Sequence, residues 1–438
     1  MGYLSNTSQQ KAQMLETLGL SSLEDLHAGL PKEVLLSREL NLPTGKGELE
    51  VLRAFEGFVA KNQIFPTIFR GAGAYRHYVP AVVSELATKE RFVTAYTPYQ
   101  AEISQGILQI IFEFQTMICE LLGMDVSNAS VYDGATAAAE AIAMCRDRKR
   151  KKALVSGAVN PHVIDTLRTY CWASNTEIEV IPIKDGVTDG EALAKLLTDD
   201  IACVLFQQPN YFGQLEDSKA IVDITHSKGA KAIMSVSPIA AATLPTPAEC
   251  GADIAVGEGQ PLGIPLSFGG PYLGFMATTD DLARKLPGRI AGETVDAEGR
   301  RAFVLTLQAR EQHIRREKAS SNICSNSALC ALTASVYMAA MGPEGLRDVA
   351  MQCYSKAHYL AEQLTKIPGF TLRYPGSFFH EFVTECPVEV GKVMGHLEKA
   401  GILGGLPLPD GGILWCATEM NTKEEMDKLV SLIREVAV

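Results

Sequence analysis

The segment GADIAVGEGQPLGIPLSFGGPYLG, Gly251 to Gly274, is the key to the architecture of this chain. It opens with Ala252 to Val256, an unbroken apolar run of strand length. A Gly/Pro-rich loop follows, then Gly269-Gly270-Pro271, then a second apolar run. A short apolar run bounded by turn residues belongs to a sheet covered on both faces. No lysine occurs from Ala232 to Arg284. The segment therefore cannot supply the primary amine on which one major class of covalent catalysis depends.

Upstream of this segment the sequence repeats a helix–strand rhythm. The apolar spacing predicts helix Gly134 to Arg150 before strand Ala153 to Ser156, and helix Pro161 to Ser174 before strand Glu177 to Ile183. It then predicts helix Gly190 to Leu197 before strand Ile201 to Gln207, and helix Asp217 to Lys228 before strand Lys231 to Val236. Short strands separated by helices of roughly 10–15 residues imply a mostly parallel sheet. Before this region, a helix follows Pro80 and a polar, aromatic loop spans Thr94 to Gly106. A long helix then runs to about Leu122, with Ile107, Ile110, Ile111, Phe114, Met117, Ile118 and Leu121 expected inside.

The rhythm weakens after about Leu305. Two helices, Ser327 to Met341 and Pro343 to Lys366, lead to strands Phe378 to Thr384 and Gly412 to Ala417, which alternate with helices Val388 to Ala400 and Lys423 to Val436. This is the pattern of a smaller α+β domain. The first residues predict short helices Gln9 to Leu18, Leu23 to Ala28 and Glu48 to Lys61. The last carries Leu49, Leu52, Phe55, Phe58 and Val59 at helical spacing, as an arm packed on the body or on a partner would. The expected organisation is an arm over 1–70, a large α/β domain over 71–320 and a small domain over 321–438.

Composition narrows the function. A formal net charge of −11 argues against nucleic acid, which needs clustered Lys and Arg for its phosphates. The ten cysteines are scattered without a CxxC pair, as in reduced thiols, and no Cys/His cluster has zinc-ligand spacing. No signal-peptide core and no run of ~18 apolar residues is present, so a soluble, cytoplasmic enzyme outside the membrane is expected.

Several motifs could carry chemistry. YDGATAAAEA, Tyr132 to Ala141, opens a helix with small residues that would admit a phosphate, but Asp133 occupies the N-cap and would repel a dianion. Asn160 follows the first clear strand, a usual place for a residue that stacks on a flat cofactor ring, and Asn has no ring. His162 falls within a helix turn. The GAGAY segment, Gly71 to Tyr75, lacks the third glycine of a dinucleotide site and follows no strand. YTPYQAEISQG, Tyr96 to Gly106, concentrates Tyr96, Thr97, Tyr99, Gln100, Glu102, Ser104 and Gln105 ahead of a buried helix. Gln308 to Asn322 gathers Arg310, His313, Arg315, Arg316 and Lys318, either as a solvated face or as an anion site.

Taken together, AYTPYQAEISQG, NASVYDGATAAAEA, GEGQPLGIPLSFGGPYLG and FVLTLQAREQHIRREKASSNICSN resemble the glycine decarboxylase P-proteins, the pyridoxal-phosphate component of the glycine cleavage system. The chain is more similar to the N-terminal half of these proteins, which many bacteria make as a separate subunit 1. The likeness runs nearly end to end. It implies an α/β, aminotransferase-like fold (fold type I of pyridoxal-phosphate enzymes), with a mostly parallel sheet in a large domain and a smaller C-terminal α+β domain. It also implies glycine decarboxylation with release of CO2, and transfer of the aminomethyl group to the lipoyl arm of H-protein. The partner, glycine dehydrogenase subunit 2, would hold pyridoxal 5'-phosphate and its Schiff-base lysine. A heterotetramer of two pairs is the implied assembly.

Against that family pattern, this chain departs at three cofactor slots. Asn160 stands for the stacking ring, Ser237 for the acid that pairs with the pyridinium nitrogen and Pro261, beside Gln260, for the lysine. The resemblance places the working site at the interface with subunit 2. There Tyr96, Thr97 and Tyr99, with Ser321 and Asn322, are the candidates to orient the glycine carboxylate or bond the cofactor phosphate. Plain interface packing is the alternative for each. Two other readings stay open: a self-sufficient enzyme using Lys231 or Lys285, and a non-enzymatic scaffold.

Overall fold

Capped helices and apolar strands assemble around one large sheet. The computed structural model describes residues 6–36, 38–94, 99–319 and 321–437. The sheet has seven strands: β1 (Val126–Ser127), β2 (Lys152–Ser156), β3 (Glu177–Ile181), β4 (Ile201–Gln208), β5 (Lys231–Val236), β6 (Ile254–Glu258) and β7 (Gly274–Thr278). Their spatial order is β1-β7-β6-β5-β4-β2-β3. β2 through β6 run parallel, with Val155 opposite Val180 on one side and Leu205 on the other. β7 runs antiparallel to both its neighbours, pairing Met276 with Val256. The mostly parallel sheet matches the expectation. The second apolar run of the Gly251–Gly274 segment turns back as an antiparallel strand, a direction that composition cannot encode.

Helices cover both sheet faces, so the strands are buried almost throughout; seven of the eight residues of β4 are inaccessible. Around the sheet lie α1 (Ala81–Ala87), α2 (Gln105–Leu122), α3 (Gly134–Cys145), α4 (Pro161–Ala173), α5 (Gly190–Leu196) and α6 (Ser218–His226). Four of these start on side-chain caps. Asp133, Asn160, Asp189 and Asp217 accept from Thr136 N, His162 N, Glu191 N and Ala220 N. Each cap is worth about 1 kcal/mol. α3 stops short of the expected Arg150, because the Asp147 carboxylate draws the N–H groups of Lys149 and Arg150, each at 2.7 Å, into a turn. In α2 the fully buried stripe is Leu108, Ile111, Phe114, Ile118 and Leu122, while Ile107, Ile110, Met117 and Leu121 are only half-buried. The helix is apolar on most of its surface, so periodicity alone leaves the inner face undetermined. A hairpin of β8 (Ala291–Val295) and β9 (Arg301–Leu305) was not anticipated.

α7 (Ala328–Thr365) joins two cores. It continues through the expected break, with a kink where Gly342 takes φ +63° and Pro343 removes a backbone donor. Its first half buries Ala331, Ala334 and Tyr337 beside the large sheet; its second half buries Ala357, Leu360 and Leu364 in the C-terminal core. There β10 (Glu381–Thr384), β11 (Leu406–Pro407) and β12 (Ile413–Cys416) form an antiparallel sheet, backed by α8 (Val390–Lys399) and α9 (Lys423–Ala437). Trp415 is completely enclosed and donates from Nε1 to Thr384 Oγ1 at 2.9 Å.

Residues 1–63 form a unit of their own. It holds helices Ser8–Thr17 and Glu48–Val59 and a short 3-10 turn, Glu24–His27, as the spacing predicts. Neither α-helix has a buried residue, and Leu49, Leu52, Phe55 and Phe58 are all exposed. Among the described residues no helix is long and apolar enough to cross a membrane.

Candidate functional site

At the carboxyl ends of β2, β4, β5 and β6 lies a cavity of about 230 Å³. This is where open α/β sheets place ligands, next to the point where strand order reverses. Asn160, Ser237 and Pro261, which are 101 or fewer positions apart in sequence, all line it, together with Asp133, Glu258 and Glu381. None of its described lining residues is a lysine or an arginine.

Each of the three slots is committed to structure. Asn160 caps α4 through Oδ1, which accepts from His162 N at 3.0 Å, and its Nδ2 donates to Ala72 O at 3.0 Å. Ser237 accepts from Ala240 N at 3.4 Å, as the cap of a single helical turn, and its own N–H donates to Gln208 O at 3.2 Å. Pro261 has no donor. Its neighbour Gln260 is buried and ties down the Gly71–Tyr75 loop. It donates from Nε2 to Tyr75 O at 2.9 Å and to Ile264 O at 2.7 Å, and accepts from Tyr75 N at 2.9 Å. That loop roofs the cavity. Gly73 sits there with φ +113°, and a Cβ on it would lie 2.7 Å from Asn160 Nδ2. GAGAY is thus a close-approach loop of the roof.

The roof is anchored from the C-terminal sheet. Glu381 accepts from Ala72 N at 2.6 Å and from the Tyr75 hydroxyl at 2.7 Å. Burial pushes this carboxyl up to about 7, offset in part by those two donors. His380 beside it stacks obliquely on Tyr75, with ring centroids 4.7 Å apart. Burial, reinforced by His77, lowers its imidazole to about 3, so the ring is neutral.

At the start of α3, Asp133 and Thr136 form a capping box, with Asp133 Oδ1 accepting from Thr136 N at 2.8 Å. The first helical N–H, that of Gly134, goes elsewhere: it donates to Glu258 Oε2 at 2.9 Å. Glu258 Oε1 accepts from Gln260 N at 2.9 Å and Leu273 N at 3.1 Å. Burial raises this carboxyl to about 7 against the pull of the three N–H groups, and Asp133 adds to the rise. Pyridoxal phosphate does not fit this cavity. The helix start is filled by the Glu258 carboxyl, and among the described lining residues none carries an amine.

The interface candidates lie elsewhere. Tyr96 and Thr97 are outside the described residues. The Tyr99 hydroxyl donates to Asn326 Oδ1 and accepts from Asn326 N at 3.3 Å. The Arg289 guanidinium lies over its ring, 4.9 Å from the centroid, and pairs with Glu311 at 2.7 Å. Burial holds the Tyr99 phenol above its ordinary range. Ser321 and Asn322 border a second cavity, of about 590 Å³, with Glu140, Arg146, Tyr170 and Arg316. There burial lifts Glu140 to about 7, eased by Ser321 and Arg146. Tyr99 and the Ser321–Asn322 pair therefore do not converge on one pocket within this chain. Of the basic segment, Arg316 reaches that second cavity, whereas Arg310 folds inward to donate to Leu286 O. His162 is exposed.

Sequence spacing missed Glu258, Glu381, Arg289 and Asn326. An acid ending an apolar strand before glycine, as in Val256-Gly257-Glu258-Gly259, was the one available signal. It also gave no hint of the meeting of His77, Cys353 and Glu419. Here the His77 ring hydrogen-bonds the Glu419 carboxylate at 2.8 Å and the Cys353 thiol donates to it at 3.3 Å.

Residues 1–433 match the family model described as glycine cleavage system P-protein. The chain is 50% identical over its full length to the full-length probable glycine dehydrogenase (decarboxylating) subunit 1 of Moorella thermoacetica. It is 47% identical, again with both chains covered completely, to the protein of the same description from Desulfitobacterium hafniense. Among solved structures, an inhibitor-bound glycine decarboxylase (P-protein) of the glycine cleavage system superposes with a TM-score of 0.93 at 43% identity, covering 100% of both chains. A NifS-like protein shares the fold at 14% identity, with a TM-score of 0.63 over 84% of this chain and 98% of its own.

Proposed function

The chain belongs to the glycine cleavage system P-protein family, and from that membership we propose that it is the non-lysine subunit of a two-chain glycine decarboxylase. Glycine is the substrate, CO2 is released and the aminomethyl group passes to the lipoyl arm of H-protein. Pyridoxal 5'-phosphate and its lysine belong to subunit 2, the partner in a cytoplasmic heterotetramer of two pairs.

The observation that carries this division of labour is the cavity at Asn160, Ser237 and Pro261. It offers no amine, and its anion end is taken by Glu258 and Asp133.

The part of this chain is positional. The Tyr99 hydroxyl is fixed by Asn326, which accepts from it at Oδ1 and donates to it from N, and the Arg289 guanidinium lies over its ring. We assign Tyr99, with Tyr96 and Thr97 just before it, to a wall shared with subunit 2 that orients the glycine carboxylate and keeps water out. Ser321 and Asn322, which border the second cavity, are assigned a separate part of the same shared interface.

The test uses the purified chain with and without subunit 2. Alone with pyridoxal phosphate, it should form no borohydride-reducible adduct and catalyse no glycine–CO2 exchange; adding subunit 2 should restore exchange. A reducible adduct on the isolated chain overturns the proposal.

A further inference from the structure

We propose that Glu258 is the chain's own occupant of an oxyanion cradle and the residue that closes the cavity to phosphate-bearing ligands. The proposal deepens the reading that the cofactor belongs to the partner, and rests on it only for the cofactor arm of the test.

Three backbone N–H groups from separate segments converge on this one carboxylate: Gly134 at the start of α3, Gln260 in the loop after β6 and Leu273 just before β7. All three lie within 3.1 Å of a carboxylate oxygen. Convergent N–H groups, one of them here at the start of a twelve-residue helix, are an arrangement that captures phosphate in other proteins. Here the anion arrives on a side chain, from the end of the adjoining strand.

The fit is reciprocal. A Cβ on Gly134 would stand 2.8 Å from Glu258 N and 2.9 Å from Glu258 Cβ, so glycine is what lets the helix start approach the strand end. An incoming phosphate would have to expel the Glu258 side chain into a cavity that Asp133 also lines and to which no described lysine or arginine contributes a positive charge. Both steric occupation and charge therefore oppose it. Asp133 alone does not close the cradle, because its carboxylate turns back onto Thr136 N and leaves the Gly134 N–H to Glu258.

The test uses the complex of this chain with subunit 2, with inorganic phosphate and pyridoxal phosphate as probes. The wild type should show no phosphate bound to this chain by 31P NMR, and only the cofactor held by subunit 2. Glu258→Ser should free the three N–H groups. Phosphate affinity is then expected to rise by about tenfold or more. A further equivalent of pyridoxal phosphate should appear that borohydride does not fix, because no lysine faces it. Asp133→Asn, which leaves Glu258 in place, should gain neither. The proposal is overturned if folded Glu258→Ser complex gains no phosphate, if Asp133→Asn gains it, or if wild type already holds it. Should Glu258→Ser fail to associate with subunit 2, Glu258→Ala, which likewise vacates the three N–H groups, takes its place, and a folded complex of it that gains no phosphate overturns the proposal. Failure of the division of labour would look different: a borohydride-fixed cofactor on this chain in the wild type.

Discussion

The Tyr75 hydroxyl donates to Glu381 Oε2 at 2.7 Å, so a buried carboxyl of the C-terminal sheet holds down the loop that roofs the large-domain cavity. The same carboxyl takes the Ala72 N–H. The bond joins residues 306 positions apart and places a titratable group where water cannot relieve its charge.

Stability should therefore depend on pH in an unusual direction. Burial raises the Glu381 carboxyl from an ordinary 4.5 to about 7, so the folded chain takes up a proton that the unfolded chain releases. This contribution is fully favourable below 4.5 and is lost as pH rises through 7, a change on the order of 3 kcal/mol. Glu140, lifted to about 7 by burial, acts in the same sense. Glu381→Gln keeps an acceptor for Ala72 and, with the phenol reversed, a partner for Tyr75. Urea midpoints measured from pH 5 to 8 should fall more steeply in the wild type than in this variant.

Tyr99→Phe removes the hydroxyl that Asn326 engages twice. Leaving those groups unmatched should cost about 1–3 kcal/mol of stability. In the complex with subunit 2, glycine–CO2 exchange should fall by roughly tenfold, chiefly in kcat, as expected when a positioning contact is lost. An intact complex with unchanged exchange would favour a scaffold role instead.

Pro261→Lys restores an amine to the cavity wall and should still give no borohydride-reducible adduct on the isolated chain. The anion end stays filled by Glu258, and Ser237 supplies no charge for a pyridinium nitrogen. A reducible adduct from this single change would show that the lysine alone was missing.

Gly134→Ala should destabilise the chain by about 2 kcal/mol or more, because the added methyl would press on the Glu258 backbone at 2.8 Å rather than on a movable side-chain end. The loss appears as a lower thermal midpoint. Glu258→Ser removes only the side chain and should not relieve it, since the nearest contact is the backbone nitrogen.

The parallel part of the sheet was legible because strands covered on both faces are apolar along their buried run, as Ile201 to Phe206 is. The β8–β9 hairpin was not. Its strands are half exposed, Glu293 pairs with Arg301 across them, and their alternation is too polar to stand out. The three cofactor slots could be named from the family resemblance, and folding gathers Asn160, Ser237 and Pro261 around one cavity. Glu258 escaped notice for a different reason. Its meaning comes from N–H groups at positions 134, 260 and 273, and backbone donors leave no mark in a sequence. Tyr99 stood out as an aromatic in a polar loop, but Asn326 and Arg289, which hold it, lie too far along the chain to be paired with it beforehand.

The three hydrogen bonds of Gln260 act as a ratchet on the history of this chain. A lysine at the neighbouring Pro261 has to be accommodated without disturbing Gln260, whose Oε1 is the acceptor for the Tyr75 N–H and whose Nε2 serves the carbonyls of Tyr75 and Ile264. An independent cofactor site in this cavity would therefore demand several changes at once, at Asn160, Ser237, Glu258 and Pro261, with Gln260 kept in place. The stability of the loop over the cavity thus restricts the routes by which this cavity could acquire an amine.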